Sequence, residues 1–300
     1  DAFQGPEAGD LYQFGVFYGT SMLYYRFEFP EAKMWGFDSF TGLPVEAQGT
    51  FQRDNWWPNK FHTRLSAERL TSNLTRLLGG PETATFVVGY FESSLRPELS
   101  IERGMRPAAL VDFDTDAYIS TAQVLHWLFA SGLVRVGTVL HYDDWTSWWC
   151  TATRGKQRHP ELLEVGEPRA HVEAARRFGA RFACVAGICR RPSGLRCDAH
   201  ETWNAVFVVT ALDEARLEAW RRRDFQLYEP AERTSEAAPD TRALEPHGVE
   251  ITGADLNAWG LRTELCRHLV SSRTLHRTDV LAILRQTKRP DVLDRFENIR

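Results

Sequence analysis

The feature of this sequence that most limits its fold is the alternation of short apolar runs with helical patterns over its first two-thirds. Seven apolar runs predict strands, at 10–17, 32–40, 84–91, 108–114, 136–144, 181–189 and 204–212. Apolar residues recur at helical spacing in four intervening segments, at 20–27, 66–80, 120–133 and 169–179. Nearly continuous apolar strands that alternate with helices are typical of a parallel sheet covered on both faces. No convincing helix separates the last two strands, so we predict an antiparallel hairpin there.

The character of the chain changes near residue 229. Residues 229–245 form a polar, Pro/Ala-rich linker, and 246–300 contain short helical patterns. We therefore predict a main domain at 1–228 and a helical C-terminal extension at 246–300. The first residue is Asp1, so we expect a natural start, and with it any targeting segment, to be missing.

Charge and hydropathy argue against two classes of partner. The net charge of −4 gives no electrostatic reason to expect nucleic acid or an anionic membrane. No apolar run approaches the roughly 20 residues needed to cross a bilayer. We expect a cytoplasmic protein that binds a small molecule, with a homo-oligomer possible.

The five cysteines show no metal-binding spacing, and we expect them to be unpaired thiols in a reducing compartment. The alternative is a local disulfide between Cys189 and Cys197 in a secreted protein. Several tryptophans lie in segments that look like loops. They either wall a pocket for a flat or apolar ligand or simply pack the loops down. These residues are Trp56, Trp57, Trp145, Trp148 and Trp149.

Carboxylates follow two of the predicted strands. Asp112, Asp114 and Asp116 end the fourth strand, and Asp143 and Asp144 end the fifth. The carboxyl ends of parallel strands meet at one edge of a sheet, so these acids would repel one another unless a cation lay among them. All-oxygen ligands favour a hard ion, Mg²⁺ above all, with Ca²⁺ or Mn²⁺ as substitutes. The alternative is that some of them, such as Asp116, only cap helices.

Glycines and one acid follow the first two strands. Gly15 and Gly19 allow the backbone to approach a ligand closely, and Asp38 ends the second strand, where an acid can bind ribose hydroxyls. This order indicates a nucleoside-bearing cofactor across strands one and two, with a reaction centre above strands four and five. The GxGxxG fingerprint and the Walker sequence are both missing, which argues against a nicotinamide enzyme and against ATP hydrolysis.

Five motifs in this order resemble the macrocin O-methyltransferase family, the TylF-type sugar methyltransferases of antibiotic biosynthesis. They are FGVFYGTS, GFDSFTGLP, VGYF, DTDAYIST and HYDDW, and the likeness runs from about residue 10 to 212. The resemblance implies a class I S-adenosylmethionine methyltransferase, an α/β doubly wound Rossmann-like sheet of order 3-2-1-4-5-7-6 with the seventh strand antiparallel.

The resemblance also implies site residues. The metal ligands would be Asp116, Asp143 and Asp144. The cofactor-binding set would be Gln13, Gly15, Gly19, Ser21, Asp38, Ser39, Gly89, Tyr90, Phe91 and Asp114. Gln13 stands where the family usually has Glu, so we expect weaker cofactor binding. The family's helices before strand one are missing here, and either they have been cut away or the C-terminal extension replaces them.

From these residues we predict metal-dependent transfer of a methyl group to a hydroxyl of a sugar-like or other small natural-product acceptor. Asp116 would accept the proton, with His141 as a second candidate base or a structural residue. A catechol-type O-methyltransferase and a binding module without turnover are the alternatives. The identity of the acceptor is not encoded in these motifs, because substrate-side loops vary freely on one fold.

Overall fold

The computed structural model describes residues 8–47, 57–146, 162–187, 189 and 204–221. The predicted linker and C-terminal extension, Trp56, Trp148, Trp149 and Cys197 lie outside these residues. None of the described helices is both long and apolar enough to cross a membrane.

Within the described residues, seven strands form one sheet in the order β3-β2-β1-β4-β5-β7-β6. They are β1 (Asp10–Phe14), β2 (Met34–Asp38), β3 (Ala84–Val88), β4 (Ala108–Phe113), β5 (Val139–Tyr142), β6 (Arg181–Gly187) and β7 (Ala205–Ala211). The first five strands pair in parallel, while β7 is antiparallel to both β5 and β6. The predicted strand order and the antiparallel hairpin at the edge are confirmed.

Helices cover both faces of the sheet. They are α1 (Thr20–Glu28), α2 (Ala67–Leu77), α3 (Phe91–Ser94), α4 (Leu99–Glu102), α5 (Tyr118–Ala130), α6 (Gly166–Phe178) and α7 (Glu214–Arg221), with a 3-10 turn at Leu162–Glu164. The four predicted helices correspond to α1, α2, α5 and α6. The other three are short, with too few turns to give a periodic signal. Ser66 is the N-cap of α2, and its side chain accepts the Arg69 N–H at 3.3 Å.

A row of aromatic rings crosses four neighbouring parallel strands of the sheet, near their carboxyl ends. Phe37, Phe14, Phe113 and Tyr142 occupy matching register positions on β2, β1, β4 and β5. Their ring centroids lie 4.4, 6.1 and 4.6 Å apart in that order, and all four are fully buried. Because the four rings occupy paired register positions, the residue after each ring falls on one line across the sheet.

The structure decides between packing and pocket-lining for one predicted loop tryptophan. Trp145 is fully buried and packs against Phe207 at 4.8 Å and Tyr142 at 5.0 Å, so it belongs to the core. Trp57, in contrast, is 55% exposed.

Two cysteines differ from the sequence-based expectation. Cys184 and Cys189 form a disulfide at the end of β6. The prediction of unpaired thiols is therefore wrong for these two, and Cys189 pairs with Cys184 rather than with Cys197. Sequence spacing alone could not identify this pair, because a disulfide needs two Cα atoms within about 7 Å, which only the folded chain shows.

Candidate active site

The residues that follow the aromatic row form the candidate site. Gly15, Asp114 and Asp143 each donate a backbone N–H to the carbonyl of a row residue on the neighbouring strand, all at 2.9 Å. Asp38 ends β2 in the same line. The sheet ladder therefore runs one residue past the rings, and this brings the predicted cofactor-side and metal-side residues to one edge.

A group of carboxylates lies above β4 and β5. Oxygens of Asp114, Asp143 and Asp144 all lie within 4.8 Å of one another, a spacing that one metal ion can span. Asp116 shares a side-chain hydrogen bond with Asp144. The structure thus brings all four of these aspartates together, and places Asp114 rather than Asp116 in the compact group of three.

Burial and mutual repulsion control the protonation of this cluster. Burial is the larger cause of the raised carboxyl pKa values, and the charges of the neighbouring carboxylates raise them further. Together they raise the pKa of Asp114 and of Asp116 well above the ordinary range and that of Asp143 to about 7. Without a cation the site therefore takes up protons, and a cation would allow it to ionise.

Glu167 is a member of the cluster that sequence reasoning missed. It lies in the first turn of α6, is fully buried, and accepts the Asp144 backbone N–H on Oε2 at 3.2 Å. Its Oε1 is buried without a hydrogen-bond partner among the described residues, and burial and the three nearest aspartates raise its pKa well above the ordinary range. Nothing in its local sequence marks it, because an acid in the first turn of a helix is commonplace.

His141 lies beneath the cluster with both ring nitrogens engaged. Its Nδ1 is 2.5 Å from Asp112 Oδ1, and its Nε2 is 3.3 Å from Asn204 Nδ2. Burial lowers the pKa of His141, but the hydrogen bond and charge of Asp112, with the charge of Asp143, raise it above its ordinary value overall. This arrangement supports the structural alternative for His141, since neither nitrogen is left to meet an acceptor.

The cofactor-side loop after β1 is held by Asp38. One carboxylate oxygen of Asp38 accepts the N–H groups of Val16 and Phe17, both at 2.7 Å, and the other accepts that of Phe40 at 2.6 Å. The Asp38 carbonyl accepts the Gly89 N–H at 3.0 Å, which brings the VGYF turn with Tyr90 and Phe91 beside it. Asp38 therefore organises the loops at this end of the site, a role additional to the predicted contact with ribose.

Gln13 offers a hydrogen-bond acceptor beside this loop. Gln13 donates to the Gly15 carbonyl at 3.1 Å, while its Oε1 is buried with no partner in the described part of the chain. That oxygen can accept from a cationic N–H donor such as an ammonium group. Ser21 is partly buried in the first turn of α1, and Ser39 bonds within its own loop, to Gly42 and Thr41.

Gly15 tolerates no side chain, which gives a direct prediction. Its φ is 87°, and a Cβ there would lie 1.8 Å from the Asp114 carbonyl oxygen. We expect Gly15→Ala to lower the free energy of unfolding by more than about 2 kcal/mol, because strain and a backbone clash add together. Gly104→Ala is the matched control, since Gly104 has φ of 59° with open space around it. Urea unfolding of the two variants compares them, and equal losses would contradict the close approach.

The raised carboxyl pKa values predict a pH dependence of stability. In the folded protein the carboxyl groups of the cluster keep their protons to a higher pH than in the unfolded chain, where they ionise near pH 4. The stability that this protonation contributes is lost as the pH rises through the folded pKa values, which include that of Asp143 at about 7. His126 and His171, with pKa values lowered by burial to about 4 and about 3, oppose this only below about pH 6.5. We therefore expect the metal-free melting temperature to fall between about pH 6.5 and 8. Thermal melts with and without added MgCl₂ test this, and a metal-free Tm that rises over this interval would contradict it.

Comparison with known proteins adds the following. A family model described as macrocin-O-methyltransferase (TylF) matches residues 4–174, more than half of the chain. The solved structure of the calicheamicin methyltransferase CalS11 is similar at 18% identity over 67% of this chain and 72% of that one, with a TM-score of 0.45. The structure of the O-methyltransferase NovP is similar at 19% identity over 68% of this chain and 72% of that one, with a TM-score of 0.44. An O-methyltransferase family protein from Burkholderia thailandensis is similar at 11% identity over 67% of this chain and 50% of that one, with a TM-score of 0.36. No curated protein sequence matches the chain.

Proposed function

The chain belongs to the macrocin O-methyltransferase (TylF) family, and from this premise we propose that it transfers the methyl group of S-adenosylmethionine to a hydroxyl of a sugar-like natural-product acceptor. The observation that most supports this proposal is that the residues following the aromatic row lie on one line, at the ends of β2, β1, β4 and β5. Gly15 and Asp38 lie at its cofactor side, and Asp114 and Asp143 lie at its acidic side. Ligands in doubly wound sheets gather at this edge.

The residues at the cofactor side fit S-adenosylmethionine. Gly15 and Gly19 give the loop after β1 a backbone with positive φ at both ends, and Oε1 of Gln13, which has no hydrogen-bond partner among the described residues, offers an acceptor for the methionine ammonium. Asp38 stands where a ribose diol can be bound. Because Gln13 lacks the charge of a glutamate, we propose that the ammonium is held by a neutral hydrogen bond, at some loss of affinity.

The carboxylates fit a hard divalent cation. Asp143 and Asp144 would hold it, and the geometry favours Asp114 as the third ligand, in place of the Asp116 that the resemblance implied. The unpartnered buried Oε1 of Glu167 supports a positive occupant for the cluster. A bound Mg²⁺ would supply Lewis-acid chemistry, lowering the pKa of the acceptor hydroxyl.

Asp116 is placed for proton transfer. Methyl transfer to a hydroxyl releases one proton, and Asp116 shares a hydrogen bond with Asp144 beside the proposed ligands. Burial and, after it, the charges of the neighbouring carboxylates raise the pKa of Asp116, which makes it a stronger base than an exposed carboxylate. We therefore assign the proton acceptor to Asp116 and give His141 a structural role.

The test is a two-stage experiment. Calorimetry measures S-adenosylmethionine binding with and without Mg²⁺, and mass spectrometry then screens a panel of sugars, phenols and polyketides for the mass gain of one methyl transfer. Methylation of sugar hydroxyls supports the proposal. Methylation only of vicinal phenols would favour the catechol-type alternative, and cofactor binding with no product would favour a binding module.

A further inference from the structure

The loop after β2 reaches across the site to the first turn of α5. Glu46, eight residues after the end of β2, accepts the Tyr118 N–H on Oε2 at 2.8 Å and the Ile119 N–H on Oε1 at 2.9 Å. The same Oε1 accepts the Ala47 N–H at 2.8 Å. One carboxylate thus binds two of the free amide groups at a helix start more than 70 residues away in the sequence.

The helix has no cap of its own. Its N-cap residue, Ala117, makes no side-chain hydrogen bond, and the first turn of α5 contains no acidic residue. The first amides of a helix need acceptors, and a negative charge there is favoured by the helix dipole. Glu46 supplies both from outside the helix, so its carboxylate does the work of an N-cap residue.

The turn that Glu46 holds contains Asp116. Asp116 lies immediately before the N-cap and has φ of 62°, in the left-handed region that residues other than Gly, Asn and Asp seldom adopt. At the other side of the turn, Asp114 is fixed to β1 by its N–H bond to the Phe14 carbonyl. The turn is therefore anchored at β4 by the sheet and at α5 by Glu46, and Asp116 lies between the two anchors.

The rest of the loop is fixed independently of Glu46. Leu43 exchanges backbone hydrogen bonds with Lys60 and Asn59, both at 2.9 Å, and the Thr63 N–H bonds the Phe40 carbonyl at 3.1 Å. Loss of the Glu46 carboxylate would thus release the start of α5 more than it releases the loop or Asp38.

We propose that Glu46 is a positioning residue that holds Asp116 beside Asp144 by capping α5 from the loop that begins at the cofactor-side Asp38. This rests on the proposed function, because the role of Asp116 as proton acceptor belongs to it. Glu46 itself is assigned no contact with the acceptor or the cofactor.

The experiment uses the full chain with Glu46→Ala, Glu46→Gln and Ser66→Ala. Ser66→Ala removes a cap of similar kind from α2, a helix that contains none of the residues assigned to the site. Mn²⁺ binding followed by electron paramagnetic resonance needs neither cofactor nor acceptor. Asp116 shares a hydrogen bond with the proposed ligand Asp144, so for Glu46→Ala we expect about tenfold weaker Mn²⁺ binding, the effect typical of residues that orient ligands. We also expect about tenfold lower kcat, with KM for S-adenosylmethionine within about twofold. Ser66→Ala should lower only the Tm.

A double-mutant cycle separates positioning from general stabilisation. If Glu46 acts through Asp116, then Glu46→Ala should lower kcat in the wild-type background but not further in Asp116→Asn. Equal losses in both backgrounds, or wild-type Mn²⁺ affinity and kcat in Glu46→Ala, overturn the inference.

If Glu46→Ala does not fold, Glu46→Gln replaces it. Gln has the size of Glu but only one acceptor oxygen, whereas the two amide groups at the start of α5 bind two oxygens of Glu46. Wild-type behaviour of Glu46→Gln would therefore also overturn the inference. A wild-type chain that neither binds Mn²⁺ nor transfers methyl groups overturns the proposed function instead.

Discussion

Asp143→Ala is expected to lower methyl transfer by at least about a thousandfold. Asp143 contributes to the compact group of carboxylates that would hold the divalent ion, and loss of a Lewis acid is worth several kcal/mol of transition-state stabilisation, which corresponds to this factor in rate. The same variant removes one buried charge from a repelling cluster. We therefore expect the metal-free protein to become more stable at pH 8 while it loses activity.

Two measurements check this expectation. Initial rates at several Mg²⁺ concentrations report the loss of activity, and thermal melts without metal report the gain in stability. Glu102→Ala is the matched control, because Glu102 is an exposed carboxylate whose partner is the exposed Arg96, and its removal should change neither quantity appreciably. Metal-dependent turnover retained in Asp143→Ala would show that the reaction centre is elsewhere.

Asp116→Asn is expected to lower kcat by about a hundredfold to ten-thousandfold, the range for loss of a general base. Asparagine suits this test because it tolerates the left-handed backbone at φ of 62° and keeps the side-chain shape. Binding of S-adenosylmethionine should be unchanged, since Asp116 lies at the acidic side of the site. The loss should therefore appear in kcat and not in cofactor KM.

His141→Gln is the comparison that distinguishes the two candidate bases. Both ring nitrogens of His141 are engaged by Asp112 and Asn204, so its replacement should reduce Tm with only a small effect on kcat per folded molecule. If the order of effects is reversed, with Asp116→Asn active within about threefold and His141→Gln inactive, the proton acceptor is His141.

Much of the site was encoded in short stretches of sequence. Strands buried on both faces give apolar runs, so the sheet elements were predictable, and their order followed from the resemblance. The acids after β4 and β5 and the glycines after β1 were predictable as one edge, because parallel strands present their carboxyl ends together. The aromatic row lies just before this edge: Phe14, Phe37, Phe113 and Tyr142 occupy paired register positions, and the next residue on each strand lies in one line beyond them.

By itself the sequence determined the elements and the edge at which polar groups collect, since both depend on local periodicity and on strand direction. Only the tertiary structure decided which of those groups meet. Asp114 joins the compact group with Asp143 and Asp144, while Asp116, at a left-handed backbone position, is not part of it. Glu167 and Glu46 reach the site from distant segments. Such contacts depend on the paths of chain segments far apart in the sequence, and no local pattern of residue types records those paths.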